Sequence, residues 1–454
     1  FDKGTITKIE DFSIPEEAAS ASLNWLTLGD KIELTGGYSV IGTENGAGKI
    51  TGLGIGEKVD GTLQAFRTRG QKIEFYNNTT ADWAESGTNQ LGAAASGEDT
   101  SITFYTSLAG YQAWISSPNS GLYKIMLANP TSVKDLTDAS GVFRGFIDAQ
   151  NGRLHLWNRR NNKNYLYGSW IDLQDSTVYT SVTAEAVGSA PTQTFTGTLA
   201  AVTGDRTCFN VVFTGGTQTM TDNKNGAFTG DGTGTINYAT GAYNITFTAA
   251  TTGATTVNYD WEDSGDDGLA DFGFTTPIRI AGEGFFLPQP TGGDLLSVLP
   301  YRTEFYCLHH NTAWLFSMPV DDLYPTNQIF RQNIGMPSAR AAVATGDGIY
   351  YVDNSNPSEP RFKLLTLETS NDQVVPTEYS FNINLSPYDF TAAVMFQWGD
   401  YILTACRTTG ETVNNRLIAY HKVWKSFDIT NYFVSCLADN DGDLWAGESS
   451  TDNV

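Results

Sequence analysis

An aromatic strand–turn–strand unit recurs along this chain, and the recurrence limits the possible folds more than any other feature. It starts near residues 63, 102, 145, 299, 341, 395 and 434, as in "LQAFRTRGQKIEFYNNTTADW" (63–83), "ITFYTSLAGYQAWISS" (102–117) and "VSCLADNDGDLWAGES" (434–449). The spacings are 39, 43, 154, 42, 54 and 39 residues. All but one lie in or near the roughly 40–50 residues of a propeller blade. Removing about 100 residues from the long gap restores the interval, so a second unit is expected inside it. The predicted fold is all-β: a β-propeller of about seven blades, range six to eight, with an inserted β-sandwich domain.

Composition marks the insertion. From Thr192 to Val257 there are 20 threonines in 66 residues, and Arg206 and Lys224 are the only basic residues. Alternation places Tyr243, Ile245 and Phe247 on one strand face and Val257, Tyr259 and Trp261 on another. The expected layout is a first propeller part over 1–184, a Thr-rich sandwich over 185–285 leaving through the acidic "EDSGDDGLADF" (262–272), and a second propeller part over 286–454. The final unit ends before its outer strands, so the N-terminal segment or residues beyond this chain are expected to complete that blade. The chain opens on Phe1 rather than Met, and its true start is expected to lie elsewhere.

Within "MFQWGDYILTACRTTGETVNNRLIAYHKVWKSFDI" (395–429), the apolar "YILTACR" is expected near the propeller axis, buried on both faces. The alternating "NRLIAYHK" is expected to be more exposed, with Trp424 and Phe427 packed between blades. One short helix is expected at "SIPEEAAS" (13–20). Cys208, Cys307, Cys406 and Cys436 have no paired spacing and read as buried thiols. No stretch approaches the roughly 20 apolar residues of a membrane span.

No residue is assigned a catalytic, cofactor-binding or metal-binding role. Asp347, Asp353, Asp400 and Asp428 have mostly turn or strand-end spacings such as "TGDG" and "WGDY", where Asp serves the backbone. "ADNDGDLW" (438–445) is an imperfect Asp-box, with Ala438 where Ser or Thr belongs, and reads as a structural turn. Calcium at Asp439, Asp441 and Asp443 or at 263–268 is disfavoured, because Leu444 stands where an EF-hand loop turns on Gly. His309 and His310 are adjacent on a strand and point to opposite faces. "TENGAGKITGLGIG" (43–56) lacks the spacing and hydroxyl of a phosphate loop and reads as a turn.

The stretches "AWISSPNSGLYKIMLANP" (113–130), "RQNIGMPSARAAVATGDGIYYVDNSNPSEPRFKLLTL" (331–367) and "WGDYILTACRTTGETVNNRLIAYHKVWKSFD" (398–428) resemble structural proteins of tailed bacteriophages, with a layout similar to tail nozzle or hub propellers. The resemblance implies a non-enzymatic virion component that belongs to the DNA ejection conduit. It implies a homo-oligomeric ring of six copies, with portal or adaptor proteins and tail fibres or spikes as partners, and it transfers no individual residue role. A net charge of −23 fits a channel that DNA passes without specific binding. The alternative is an extracellular glycan-binding or glycan-cleaving propeller, for which Trp114, Trp157, Trp398 and Trp445 are the candidate sugar-stacking residues.

Overall fold

The computed structural model describes residues 25–28, 31–34, 41–42, 49–87, 91, 100–107, 110–117, 121–136, 146–150, 153–159, 162–168, 179–203, 206–262, 279–280, 284–285, 293–301, 304–317, 327–332, 334–368, 373–380 and 382–449. Every regular element among them is a β-strand, paired antiparallel with its neighbours. Seven small meander sheets follow one another. Sheet I holds Ile50–Glu57, Leu63–Arg69, Lys72–Asn77 and Asp82–Glu85; sheet II holds Ser101–Ser107, Gly110–Ser117, Gly121–Met126 and Val133–Asp135. Sheet III has three strands, Phe146–Gln150, Arg153–Arg159 and Asn162–Gly168. Sheet IV comprises Leu295–Tyr301, Glu304–His309, Thr312–Ser317 and Asn327–Gln332. Sheet V comprises Ala342–Thr345, Gly348–Asp353, Arg361–Glu368 and Gln373–Glu378. Sheet VI comprises Tyr388–Trp398, Tyr401–Thr408, Arg416–His421 and Ser426–Thr430, and sheet VII the hairpin Val434–Asn440 and Asp443–Glu448. The fold is all-β and propeller-like. The helix expected at 13–20 and the linker expected at 263–272 lie outside the described residues.

Each sheet shares a buried seam with the next. Sheets I and II meet through Phe66, Ile73, Ala113 and Ile125, and Thr103 of sheet II donates to Asp148 of sheet III at 2.8 Å. Trp157 of sheet III packs on Leu295 and Val298 and donates its indole N–H to the Leu296 carbonyl at 3.0 Å. One large core joins sheets IV, V and VI, where the rings of Tyr379 and Tyr420 lie 4.5 Å apart and those of Tyr420 and Phe427 4.8 Å apart. Leu403, Leu417, Val434 and Leu437 join VI to VII. The last sheet also packs on the first: Cys436 and Ala438 join Ile50, Leu53 and Trp83, and Ser435 donates its hydroxyl to the Ile50 carbonyl at 2.6 Å.

Three features of sheet VI depart from the sequence reading. Leu417, Ile418, Ala419 and Tyr420 are all buried, because sheets on either side of Arg416–His421 cover both alternations. The strand of sheet VI beside its neighbours' first strands is Tyr388–Trp398 rather than 401–407. Trp424 is 46% exposed in the turn between the last two strands, whereas Phe427 is fully buried. The Gly-rich run also differs, since Ile50–Glu57 is a strand and not a turn. Its glycines permit close approach. A Cβ on Gly54 would sit 2.8 Å from Cγ2 of Ile102, and one on Gly56 would overlap the Phe104 ring.

The Thr-rich segment forms two facing sheets. One has the order Tyr179–Gly188, Thr255–Glu262, Thr207–Gly215, Gln218–Asp222, Phe228–Gly230; the other has Thr194–Thr198, Ala242–Phe247, Gly232–Ile236. Phe213, Met220, Ile245, Phe247, Val257 and Tyr259 fill the space between them. Strand Tyr179–Gly188 straddles the expected boundary at 184/185. It lies at the edge of its sheet and turns only Val182 and Val187 onto the core, so its weak apolar signal precedes the threonine run.

The close approach of sheets I and II predicts that Gly54→Val destabilises the protein by about 1–3 kcal/mol through overpacking. Gly346→Ala, where an added Cβ meets nothing within 4 Å, should stay within about 0.5 kcal/mol of the parent. Urea-denaturation midpoints check both, and equal shifts would remove close approach as the cause.

Candidate functional site

The carboxylates singled out in the sequence do not form an acid/base pair. Asp347 and Asp400 sit in the turns after the first strands of sheets V and VI, where Lys422 joins them: its Nζ lies 3.9 Å from Asp347 and its backbone N–H donates to the Asp400 carbonyl at 2.9 Å. Asp353 is at the opposite end of its strand from Asp347. It binds Lys363 and accepts from the backbone N–H groups of Gly335 (3.2 Å) and Ser355 (2.9 Å). Burial works against its charge, yet Lys363 and the Ser355 N–H hold its pKa below the usual carboxylate range. Asp428 departs from the turn expectation. It is fully buried in mid-strand, opposite Ala419.

The Asp-box-like segment is a tight hairpin with left-handed Asp441 (φ 53°) and Gly442 (φ 93°), and Asp439 accepts from the Gly442 N–H at 2.8 Å. Its Trp445 packs edge-on against Tyr76 at 5.8 Å and Trp83 at 6.4 Å, at the seam of sheets VII and I. Trp114 and Trp157 are buried; Trp398 is half-buried and donates to the Gly442 carbonyl at 2.9 Å. The Nδ1 atoms of His309 and His310 lie 3.1 Å from the Gly293 carbonyl and 3.0 Å from that of Met336, and His310 also packs beside Gly293 just past the strand end. Burial drops His309 to about 4, so its ring is neutral at pH 7. All four cysteines are buried free thiols, and burial raises each thiol's pKa. Among the described residues no group of three or more His, Cys, Asp or Glu is placed to hold a metal ion, and no helix is long and apolar enough to cross a membrane.

The sequence reading passed over a buried ion cluster in sheet I. Arg67 and Arg69 share one face of their strand, and the turn at Gly70 brings Glu74 directly opposite Arg67. Glu74 receives Arg67 Nε at 2.7 Å and Arg69 Nη2 at 2.6 Å, and the Arg67 guanidinium lies 4.3 Å from the centre of the Trp83 ring. Burial disfavours the charge on Glu74, but Arg69 and Arg67 hold its pKa below the usual range. It is therefore an anchored counter-ion and not a proton donor. Two arginines at alternate positions of a strand that also carries Leu63, Ala65 and Phe66 were the signal for it.

Two surface features can meet a ligand. A run of rings passes from Trp398 through Tyr401 (6.2 Å, stacked) and His421 (4.6 Å) to exposed Trp424 (6.1 Å), beside the Asp400 turn and exposed Val423. The Trp424 N–H donates to His421 Nδ1 at 3.3 Å, and burial lowers the imidazole's pKa, which keeps that nitrogen an acceptor at neutral pH. The second feature is a cleft of about 180 Å³ between sheets I and II, lined by Glu57, Phe104, Tyr105, Tyr111 and Leu127 among others.

The serial four-stranded meanders define a β-propeller-like all-β protein. No protein-family model matches the chain, and no curated protein matches its sequence. Among solved structures it is similar to YCF48 bound to D1 peptide, at 8% identity and a TM-score of 0.35 over 86% of this chain and 87% of that one. It is also similar to Saccharomyces cerevisiae Sqt1, at 9% identity and a TM-score of 0.35 over 94% and 97%. A third is a catalytically inactive virginiamycin B lyase from Staphylococcus aureus with quinupristin, at 12% identity and a TM-score of 0.32 over 81% and 95%. Likenesses of this degree carry no inference about ligand, partner or activity.

Glu74→Gln should cost about 3–5 kcal/mol, because two guanidiniums stay buried with their counter-charge removed. The depressed pKa of Glu74 means that its ion pairs stabilise the fold above the ordinary carboxylate range and are lost as pH falls through the folded-state value. Denaturation from pH 7 down to pH 2 should therefore show a smaller acid-induced loss in the variant than in the parent. Parallel pH curves would refute the assignment.

Proposed function

We propose that this chain is a non-enzymatic structural component of a bacteriophage virion, a tail nozzle or hub subunit of the DNA ejection conduit. In this reading the seven sheets close into a propeller, and the sandwich, whose described strands run from Tyr179 to Glu262, is an inserted contact module. Rigid attachment of that module carries the reading. Met126 of sheet II belongs to the sandwich core, Lys124 Nζ donates to Thr207 Oγ1 at 3.2 Å in a buried seam, and Asn225 donates to Asp60 of sheet I at 2.9 Å. A module packed on its body in this way is suited to bridging one subunit to the next.

Two further observations support it. Ring closure is favoured by the seam between the first and last sheets. Each charged residue on the described first strands of sheets I to VII, namely Glu57, Asp148, Asp389 and Asp439, is acidic. With a net charge of −23, such a subunit repels the phosphates it would conduct. A closed ring of identical copies needs two unlike complementary patches on each subunit. In a cryo-electron microscopy map of particles carrying this chain, six copies should encircle the tail channel and present it with more Asp and Glu than Lys and Arg. Isolated copies on the outside of the particle, or a basic channel lining, would defeat the proposal.

The exposed end of the aromatic run favours a second reading, a glycan-binding propeller in which Trp424 stacks on a sugar face beside Asp400 and Lys422. Trp424→Ala should leave the fold within about 0.5 kcal/mol of the parent and weaken any glycan found on an array at least tenfold. A parent protein that retains no glycan removes this reading.

A further inference from the structure

We propose that the cleft between sheets I and II binds a small ammonium group, independently of where the protein resides. Its back wall exists because Gly56 carries no side chain: the Phe104 ring occupies the space a Cβ would take, and Tyr111 and Leu127 continue the same apolar seam. At the mouth stands Glu57, the last residue of its strand and exposed to solvent. The turn that follows is closed by the Lys58 N–H donating to the Thr62 carbonyl at 2.8 Å, and it runs beside the carboxylate, where a Cβ on Gly61 would lie 3.7 Å from Oε1. The lining combines one carboxylate with the aromatic and aliphatic walls and the polar Thr106 and Gln112, and among the described residues Lys and Arg side chains are not part of it.

The chemistry selects among ligand classes. An anion meets Glu57 and a net negative protein. A neutral apolar group would cover the carboxylate and leave its charge without compensation. An ammonium satisfies the carboxylate by charge and the aromatic walls by their ring quadrupoles, the combination that recognises quaternary and methylated amines. Size narrows the class further. At about 180 Å³ the cleft is close to the ~150 Å³ cavity that admits benzene, enough for a trimethylammonium head or the end of a lysine side chain and too small for a nucleotide.

Isothermal titration with choline, with its uncharged carbon analogue 3,3-dimethylbutan-1-ol, and with Nα-acetyl-lysine amide tests the proposal on the intact chain. Saturable binding of choline or the lysine derivative is expected, at least tenfold tighter than the uncharged analogue. The tighter of the two cations separates a free quaternary amine from a partner's lysine as the source. Glu57→Gln, at an exposed position, should weaken cation binding at least tenfold with an unchanged thermal midpoint, and Tyr111→Leu should weaken it while keeping an apolar wall. Equal binding of the uncharged analogue, unchanged binding in Glu57→Gln, or no saturable binding of either cation would overturn it.

Discussion

A four-stranded meander with apolar side chains on both faces cannot bury them by itself. Every such sheet in this protein needs a neighbour on each side, and the rest of the structure follows from that requirement. It accounts for the strands of sheet VI that are buried on both alternations, and for the ring-on-ring packing of Tyr379, Tyr420, Phe362 and Phe427 between sheets V and VI. It also accounts for the glycines of Ile50–Glu57, because a sheet covered at close range must lose side chains wherever its neighbour's rings are large.

Several ionisable groups caught in these seams are held by partners or by burial. Glu74 is held between two guanidiniums, Asp353 by Lys363 and two backbone donors, and His309 is kept neutral by burial. The thiols are driven away from their reactive form. Groups that remain available to solvent stand at the turns and sheet edges, where Asp400, Trp424 and Glu57 are found.

The repeating strand units and the Thr-rich insertion were legible in the sequence because both depend on local patterns. Tyr243, Ile245 and Phe247 alternate along the central strand of one sheet, and the Asp441-Gly442 turn needs only its own residues. What escaped depends on contacts distant in the chain. Leu417 and Ile418 look alternately exposed until two neighbouring sheets cover them. Gly52, Gly54 and Gly56 look like a loop until residues 100–104 press against them. Arg67 and Arg69 look solvated until Glu74 folds back onto them under Trp83. Trp424 erred in the other direction: its ring looked like core, but it falls three residues beyond the buried strand, in the turn.

The seam between sheets VII and I has a consequence for how the chain is made. Ser435 and Ile50 are 385 residues apart, so their contact must wait until the whole stretch between them has left the ribosome. Until then Ile50, Leu53 and Trp83 present an uncovered apolar face, although sheets I and II can already pair. A contact of such long range makes the final folding step slow and leaves the nascent chain open to association with other copies during synthesis. Loss of the sheet VII hairpin would thus injure sheet I first, and a nascent-chain chaperone would find its natural target there.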